Sequence, residues 1–383
     1  MFICLPNASP VVHTYKTQTG YYEFAIIVAE NKKRHMEKRK CGNSDMMLSC
    51  LGVGCWAFGG GEYWGDQNQK DVDEVVHRAV DLGINFFDTA EAYNKGTSES
   101  SLGLALKGIP RDKVFVGTKI SPSNVQSENV EVHLDASLKR LQLDYVDLYM
   151  VHWPITAHSI KHFSTGTIPT PSVQVAFDTL RKMQEKGKIR NIGVSNFGPE
   201  KMDEALATGA NIVINELPYS LLTRAIELEI LPYCRNKGIG VLGYMALMQG
   251  LLADIYPTLD DVPLWQRRTR HFDVARTPEH CRHGLPGAEV ETDAAINAVR
   301  AIAKKYGMTT PEISLKWAIA GNGLTCSLAG SRNVKELEAN AKAANEPLPA
   351  EVIAELSKAT DELLNALGTS FDYYENPKND RTK

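Results

Sequence analysis

From residue 49 onward, short apolar runs rich in β-branched and aromatic residues alternate with longer stretches whose apolar positions recur at helical spacing. The runs SCLGVG, NFFDTA, VFVGTKI, DYVDLYMVHW, RNIGVSNF, IVINEL, GVLGYM and LTCSLAG read as strands. They pass or end at Gly54, Asp88, Lys119, His152, Ser195, Glu216, Tyr244 and Gly330. Between the first two, QKDVDEVVHRAVDLG places Val72, Val75, Val76 and Val80 on one stripe and stops at Gly83, as an amphipathic helix does. Eight strand–helix units predict an α/β fold of the (β/α)8 TIM-barrel type, although a doubly wound sheet has the same local alternation. Ahead of the first strand, KRKCGNSDMMLS reads as an N-terminal hairpin turning at Gly42-Asn43-Ser44 that could plug the barrel floor.

Two connections are long, 155–172 after the fourth strand and 253–291 after the seventh, and both would leave the C-terminal face where barrel enzymes keep their sites. An additional C-terminal helix, AEVIAELSKATDELLNAL, precedes a polar tail. The expected division is a disordered extension over 1–35, a barrel domain over 36–366 and the tail over 367–383, with Met36 an alternative start of the folded unit.

The stretch GIGVLG at 238–243 satisfies the Gly-x-Gly-x-x-Gly pattern of dinucleotide-binding folds, but the required order is strand, glycines, helix. Here a helical pattern, RAIELEILPYCRNK, precedes the glycines and a strand follows, so the stretch is a helix stop.

The composition narrows the class further. A formal net charge of −4 argues against a nucleic-acid partner, and no apolar run reaches the length of a membrane span. The only apolar run in the first 35 residues, FAIIVA, follows Glu23 and lacks a basic leader, so a secretory signal is not expected and the location is expected to be cytoplasmic. Seven cysteines without a Cys-x-x-Cys pair read as reduced packing residues. His158 and His162 have the spacing of a zinc pair, but the glutamate of His-Glu-x-x-His is missing and the surrounding loop holds Thr, Gly and Pro, so no metal is expected. His280 and His283 read as solvated or lid residues.

Polar residues that close apolar strands carry the candidate chemistry, because a charge beside a core is costly unless paired and used. Asp88 closes NFFD, Tyr93 follows in TAEAY, Lys119 closes VFVGTK and His152 closes LYMVH. In a barrel these four converge on one rim. With FFDTAEAY, GTKI, DLYMVHWP, GVSNF, NELPYSLL, YMALMQGLL and LAGSRNVKELEANA in this order, the chain from Met36 to about Leu363 resembles the aldo-keto reductase family.

That resemblance implies a (β/α)8 barrel holding NADP(H) and a catalytic tetrad of Asp88, Tyr93, Lys119 and His152. The expected activity is reduction of an aldehyde or ketone, including sugars, by hydride transfer with Tyr93 as general acid. Lys119 would lower the phenol pKa, Asp88 would hold the ammonium, and His152 would orient the substrate oxygen. It further implies cofactor contacts from Gly54, Cys55, Trp56 and Asp88, from Ser195 and Asn196 to the carboxamide, and from Tyr244 stacked on the ring. Gln249, Gly250 and Leu251 are implied along the pyrophosphate, Gly330, Ser331 and Arg332 at the 2′-phosphate, and Glu336 and Asn340 near the adenine. Trp56, Tyr93, His152 and Trp153 would face the substrate.

Glu216 stands where the family usually has glutamine, and Met245-Ala246 where Ser-Pro is commoner, which puts those two contacts in doubt. An aldose dehydrogenase working in the oxidative direction would use the same tetrad. A regulatory subunit resembling potassium channel β subunits would share the fold and the NADP. The sequence leaves the oligomeric state open.

Overall fold

The computed structural model describes residues 11–17, 20–26, 36–166, 168–321 and 323–383, which fall into two compact units divided after His35. Within the first unit, β1 (Val11–Thr17) pairs antiparallel with β2 (Gly20–Ile26). A disordered extension is the expectation for this segment; VVHTYKT and GYYEFAI instead are dense in β-branched and aromatic residues on either side of a short connection, the composition of a hairpin. The rest of residues 1–35 lies outside the described residues.

The second unit opens with the anticipated hairpin, β3 (Lys38–Lys40) against β4 (Met47–Ser49). Eight parallel strands then close a barrel: β5 (Leu51–Gly54), β6 (Phe86–Asp88), β7 (Phe115–Ile120), β8 (Val146–Val151), β9 (Ile189–Ser195), β10 (Ile212–Pro218), β11 (Gly240–Tyr244) and β12 (Cys326–Ala329). Neighbours follow chain order, and β12 closes on β5. The stretch 238–243 therefore leads into β11, as its context implies.

Helices cover the barrel in turn: α1 (Gln69–Asp81), α2 (Thr97–Ala105), α3 (Ser127–Leu141), the short α4 (Ala157–Ile160), α5 (Val173–Glu185), α6 (Pro199–Ala207) and α7 (Ile230–Lys237). Two helices, α8 (Glu289–Lys305) and α9 (Thr310–Ala320), lie between β11 and β12, and α10 (Val334–Asn345) follows β12. In α1 the Asn68 side chain caps the first turn, and Val72, Val75, Val76 and Ala79 are the buried face. The last predicted helix divides at Thr360 into α11 (Ala350–Ala359) and α12 (Asp361–Leu367).

The barrel interior is filled by Phe86, Leu148, Met150, Ile214, Leu242, Cys326 and Leu328, joined from below by Cys41, Met46 and Leu48 of the hairpin. Gly42 adopts φ +50°, and a Cβ there would meet Val213 O at 2.2 Å, so the turn fits against the N-terminal ends of β10 and β11 only as glycine. The Arg39 guanidinium donates to Ile319 O and Leu324 O beside it. Cys41, Cys50, Cys55, Cys234, Cys281 and Cys326 are all buried and free, consistent with packing roles.

The tail is not loose. Phe371, Tyr373 and Thr382 are buried, Arg270 N donates to Tyr373 O, and Gly198 N donates to Thr382 O at the start of α6. Asp372 and Arg381 form a bidentate ion pair at 2.7 and 2.8 Å with both side chains buried. The connection after β11 is equally packed: His283, expected to be solvated, is buried and its Nδ1 accepts from Leu285 N, whereas His280 is exposed.

Removing one partner of a buried ion pair strands the other charge, a loss of about 3 to 5 kcal/mol. Asp372→Ala is expected to lower unfolding free energy by that amount in urea titrations, and Asp372→Leu with Arg381→Met to recover most of it. A loss under about 1 kcal/mol for Asp372→Ala would show that the tail contributes little to stability.

Candidate active site

The polar ends of β6, β7, β8 and β10 meet at the C-terminal mouth of the barrel. Strand register places Lys119 two positions beyond the Asp88↔Gly117 pairing, on the adjacent strand and the same face, so the two side chains meet. Lys119 Nζ donates to both Asp88 oxygens at 2.7 and 2.6 Å, to Thr89 O at 3.0 Å and to Tyr93 Oη at 3.2 Å. An ammonium has three N–H donors, so these contacts exhaust it. Glu216 Oε2, though only 3.2 Å from Nζ, is left without a hydrogen bond.

Tyr93 opens a turn in which Asn94 and Lys95 take left-handed φ of 49° and 56°. Asn94 tolerates this conformation, and its Nδ2 donates to Trp56 O at 2.8 Å, fastening the turn to the loop after β5. The Tyr93 ring lies 5.6 Å from the His152 ring, edge to face, and 5.8 Å from Trp56. All four tetrad candidates are thus brought together. His152 Nδ1 is buried without a hydrogen-bond partner among the described residues.

Electrostatics correct one expectation. The phenol of Tyr93 is pushed above its ordinary range, not below it: burial is the main cause, and the charges of Asp88 and Glu216 reinforce it against the lowering influence of Lys119. Burial opposes the charge on Lys119, but the two carboxylates raise its pKa and keep it an ammonium. Burial, then the charges of Lys119 and Arg381, hold His152 well below its usual pKa, so the imidazole is neutral. Glu216 is raised to about 8, first by burial and then by the charge of Asp88.

On the β9–β10 side, Asn196 has φ 65° and ties four strand ends together. Its N–H donates to Glu216 O, its Nδ2 to His152 O and Ser195 Oγ, and its Oδ1 accepts from Tyr244 Oη at 2.7 Å. Ser195 Oγ donates to Glu216 O and both Asn196 Nδ2 hydrogens are engaged, so what these groups retain is acceptor capacity, on Ser195 Oγ, Asn196 Oδ1 and the unpartnered Glu216 Oε2, which fits the nitrogen of a nicotinamide carboxamide rather than its oxygen. At the rim between β5 and β12, Cβ atoms added at Gly54 or Gly330 would meet nothing closer than 3.7 Å, so these glycines leave room at the backbone.

Other sequence candidates sit differently. The Cys55 thiol points at Val53 O, and its N–H and C=O are taken by Asp88 and Ser98, so it has no polar group left for a cofactor. Trp153 is buried with the Arg381 guanidinium 3.7 Å over its ring, so that face is covered. Leu251 is buried, and Gly250 takes φ +104° where a Cβ would meet Ile255. Gln249 Oε1 accepts from Tyr63 at 2.6 Å and its Nε2 donates to Tyr374 at 3.0 Å. Tyr63 also stacks on Trp56 at 4.9 Å. Tyr63 and Tyr374 escaped the sequence reading because neither closes a strand.

At the start of α10, Asn340 Nδ2 donates to Ser331 Oγ. Glu336 accepts from the N–H of Arg332 at 2.8 Å, and the Arg332 guanidinium binds Trp64 O, Asp66 O and Gln67 Oε1. The loop after β5 is thereby strapped to the helix after β12.

A model of the aldo/keto reductase family matches residues 50–361, and the chain belongs to that family. It is 32% identical over 336 residues to the NADH-specific methylglyoxal reductase of Escherichia coli (strain K12), across 81% of this chain and 94% of that one. Similarity to L-galactose dehydrogenase of Arabidopsis thaliana is 28% over 321 residues, 81% of this chain and 89% of the relative. Among solved structures, the glycerol dehydrogenase of Gluconobacter oxydans superposes with a TM-score of 0.66 at 26% identity, covering 86% of this chain and 95% of that one. A Klebsiella pneumoniae aldo/keto reductase solved with NADP and acetate shares the fold at a TM-score of 0.62 and 23% identity, over 84% and 95% of the two chains. The protein is accordingly an oxidoreductase of the aldo-keto reductase type, a family that works on small carbonyl compounds with a nicotinamide cofactor. No helix among the described residues is long and apolar enough to cross a membrane.

Glu216 supplies a test by linkage. The folded protein keeps its proton up to about pH 8, whereas an unfolded glutamate releases it near 4.5, so its contribution to stability is full below 4.5 and lost as pH rises through 8. Glu216→Gln keeps the shape without the titration. The melting temperature of the variant is expected to gain on wild type by several degrees between pH 5.5 and 8.5, measured by differential scanning calorimetry. A constant difference across that range would show that Glu216 is ionised throughout.

Proposed function

We propose that the protein reduces a small aldehyde, ketone or open-chain sugar to its alcohol with NADPH, using Tyr93 as proton donor. The observation that carries this reading is the buried chain of contacts from Asp88 through Lys119 to Tyr93, with neutral His152 edge-on to the same phenol. A bound reduced nicotinamide supplies the hydride to the carbonyl carbon. The protein handles the proton. Because the Tyr93 pKa is raised, the phenol is protonated across the physiological range and ready to donate to the carbonyl oxygen. The phenolate it leaves lies 3.2 Å from the Lys119 ammonium, whose charge Asp88 stabilises. His152, neutral and with an unpartnered ring nitrogen, is suited to hold the carbonyl oxygen in line. Trp56, stacked between Tyr63 and Tyr93, offers an apolar wall suited to a small carbon skeleton.

Ser331 and Arg332 at the opening of α10 support the 2′-phosphate assignment, since a guanidinium beside free helix N–H groups favours a dianion. A second reading, NADH, is favoured by the contacts of those same groups: Glu336 holds the Arg332 N–H, and the 64–67 loop engages every nitrogen of the guanidinium. NADPH binding on the first reading requires the loop to yield Arg332, a cost NADH avoids.

Two experiments test the reading. With a panel of aldehydes, ketones and sugars followed by cofactor absorbance in both directions, Tyr93→Phe is expected to lower turnover about a hundredfold or more while retaining cofactor affinity. Turnover within a few fold of wild type would remove Tyr93 from proton transfer. Fluorescence titration is expected to show wild type preferring NADPH by about tenfold to a hundredfold, with Arg332→Ala weakening NADPH far more than NADH. Equal losses, or a wild-type preference for NADH, would overturn the phosphate assignment.

A further inference from the structure

The two histidines set aside in the sequence lie in α4 and the turn after it, on the connection that leaves β8. Folding supplies what the sequence around them lacks. Glu375, far along the chain in the tail, is brought against both: its Oε1 lies 3.3 Å from His162 Nε2 and its Oε2 3.7 Å from His158 Nε2. One atom from each of the three residues lies within 4.8 Å of the other two. The imidazole rings stand at 88° to one another with centroids 5.4 Å apart. Neither Nε2 has a hydrogen-bond partner, although both atoms are shielded from solvent.

From this geometry we propose that His158, His162 and Glu375 form a binding site for a divalent transition-metal ion of the zinc class, which staples the C-terminal tail to the loop after the fourth barrel strand. Zinc bonds of about 2.0–2.1 Å in a tetrahedron put ligand atoms about 3.3–3.4 Å apart, so three ligand atoms already within 4.8 Å of one another need only a small closure around the ion. Two imidazole nitrogens and one carboxylate oxygen select zinc, cobalt, nickel or copper over magnesium or calcium, which prefer oxygen donors. A shielded imidazole nitrogen without a partner is costly, and an ion satisfies both at once. Each histidine coordinates through Nε2 as the Nδ1–H tautomer, and water completes the tetrahedron.

The surroundings suit the ion. Arg282 Nε donates to Glu375 Oε1 at 2.7 Å, the kind of outer contact that fixes a ligating carboxylate, and leaves Oε2 for the metal. The further cation, Arg381, is neutralised by Asp372. The site also touches the chemistry indirectly. Phe163, next to His162, packs on the His152 ring at 5.5 Å, and Arg381 of the same tail covers Trp153. Metal binding therefore orders two segments that border the substrate side of the mouth.

The test uses the full chain after chelator treatment, with zinc chloride followed by calorimetry and cobalt chloride followed by visible absorption. One equivalent of zinc is expected to bind, cobalt to give the strong visible bands of a tetrahedral site, and excess zinc to raise the melting temperature by a few degrees. His158→Ala, at a partly exposed position, and His162→Ala are each expected to weaken binding tenfold or more while keeping the metal-free melting temperature. Glu375→Gln should weaken it similarly, and the two histidine variants keep the test sound if loss of the carboxylate disturbs the tail. Absence of saturable binding below about 100 μM, or equal binding by wild type and both histidine variants, would overturn the proposal.

Discussion

The site rests on a single ammonium, Lys119, buried at the mouth of the barrel between two carboxylates and a phenol. Such a charge survives burial only when paired and hydrogen-bonded, and Asp88 provides both at 2.6 to 2.7 Å. The ammonium in turn fixes Tyr93. Because its three N–H donors go to Asp88, Thr89 O and Tyr93, the second carboxylate, Glu216, finds no donor there and its Oε2, 3.2 Å from Nζ, stays unpartnered. One saturated cation therefore fixes the Tyr93 hydroxyl and leaves a carboxylate oxygen of Glu216 beside it without a donor. The placement of Tyr93 follows from it, and its charge adds to burial in keeping His152 neutral, while Glu216 is held protonated by burial and Asp88 against it.

Much of this was legible in the sequence because strand ends are legible. Asp88, Lys119 and His152 are polar residues abruptly closing apolar runs, and parallel strands of one barrel can end only on one rim, so proximity follows from topology. Side-chain competition was not legible. The expectation that Lys119 lowers the Tyr93 pKa treats the pair in isolation, whereas the folded site adds two carboxylates and removes water, and the phenol moves the other way. The family resemblance places Cys55 at the cofactor and Trp153 at the substrate; the direction of the thiol and the arginine over the indole depend on packing.

The tail shows the same limit from another side. FDYYENPKNDRTK reads as a polar tail, yet Asp372 and Arg381 pair within it and Phe371 and Tyr373 enter the core. Asp372 and Arg381 are nine residues apart without helical periodicity, so their pairing has no sequence signature. The consequence is functional geography: the tail supplies Tyr374 to Gln249, Arg381 to Trp153 and Glu375 to the two histidines, and so borders both the cofactor side and the substrate side of the mouth. His158 and His162 gain meaning only when the third group arrives from this distant segment.

The central claim is that the Lys119 ammonium organises proton donation without being needed to hold the cofactor. The most direct measurement is the single-turnover rate of carbonyl reduction by Lys119→Met with cofactor already bound, alongside cofactor affinity from fluorescence titration. The account predicts a rate at least about a hundredfold below wild type with affinity changed by no more than a few fold. A rate within about threefold of wild type would contradict it.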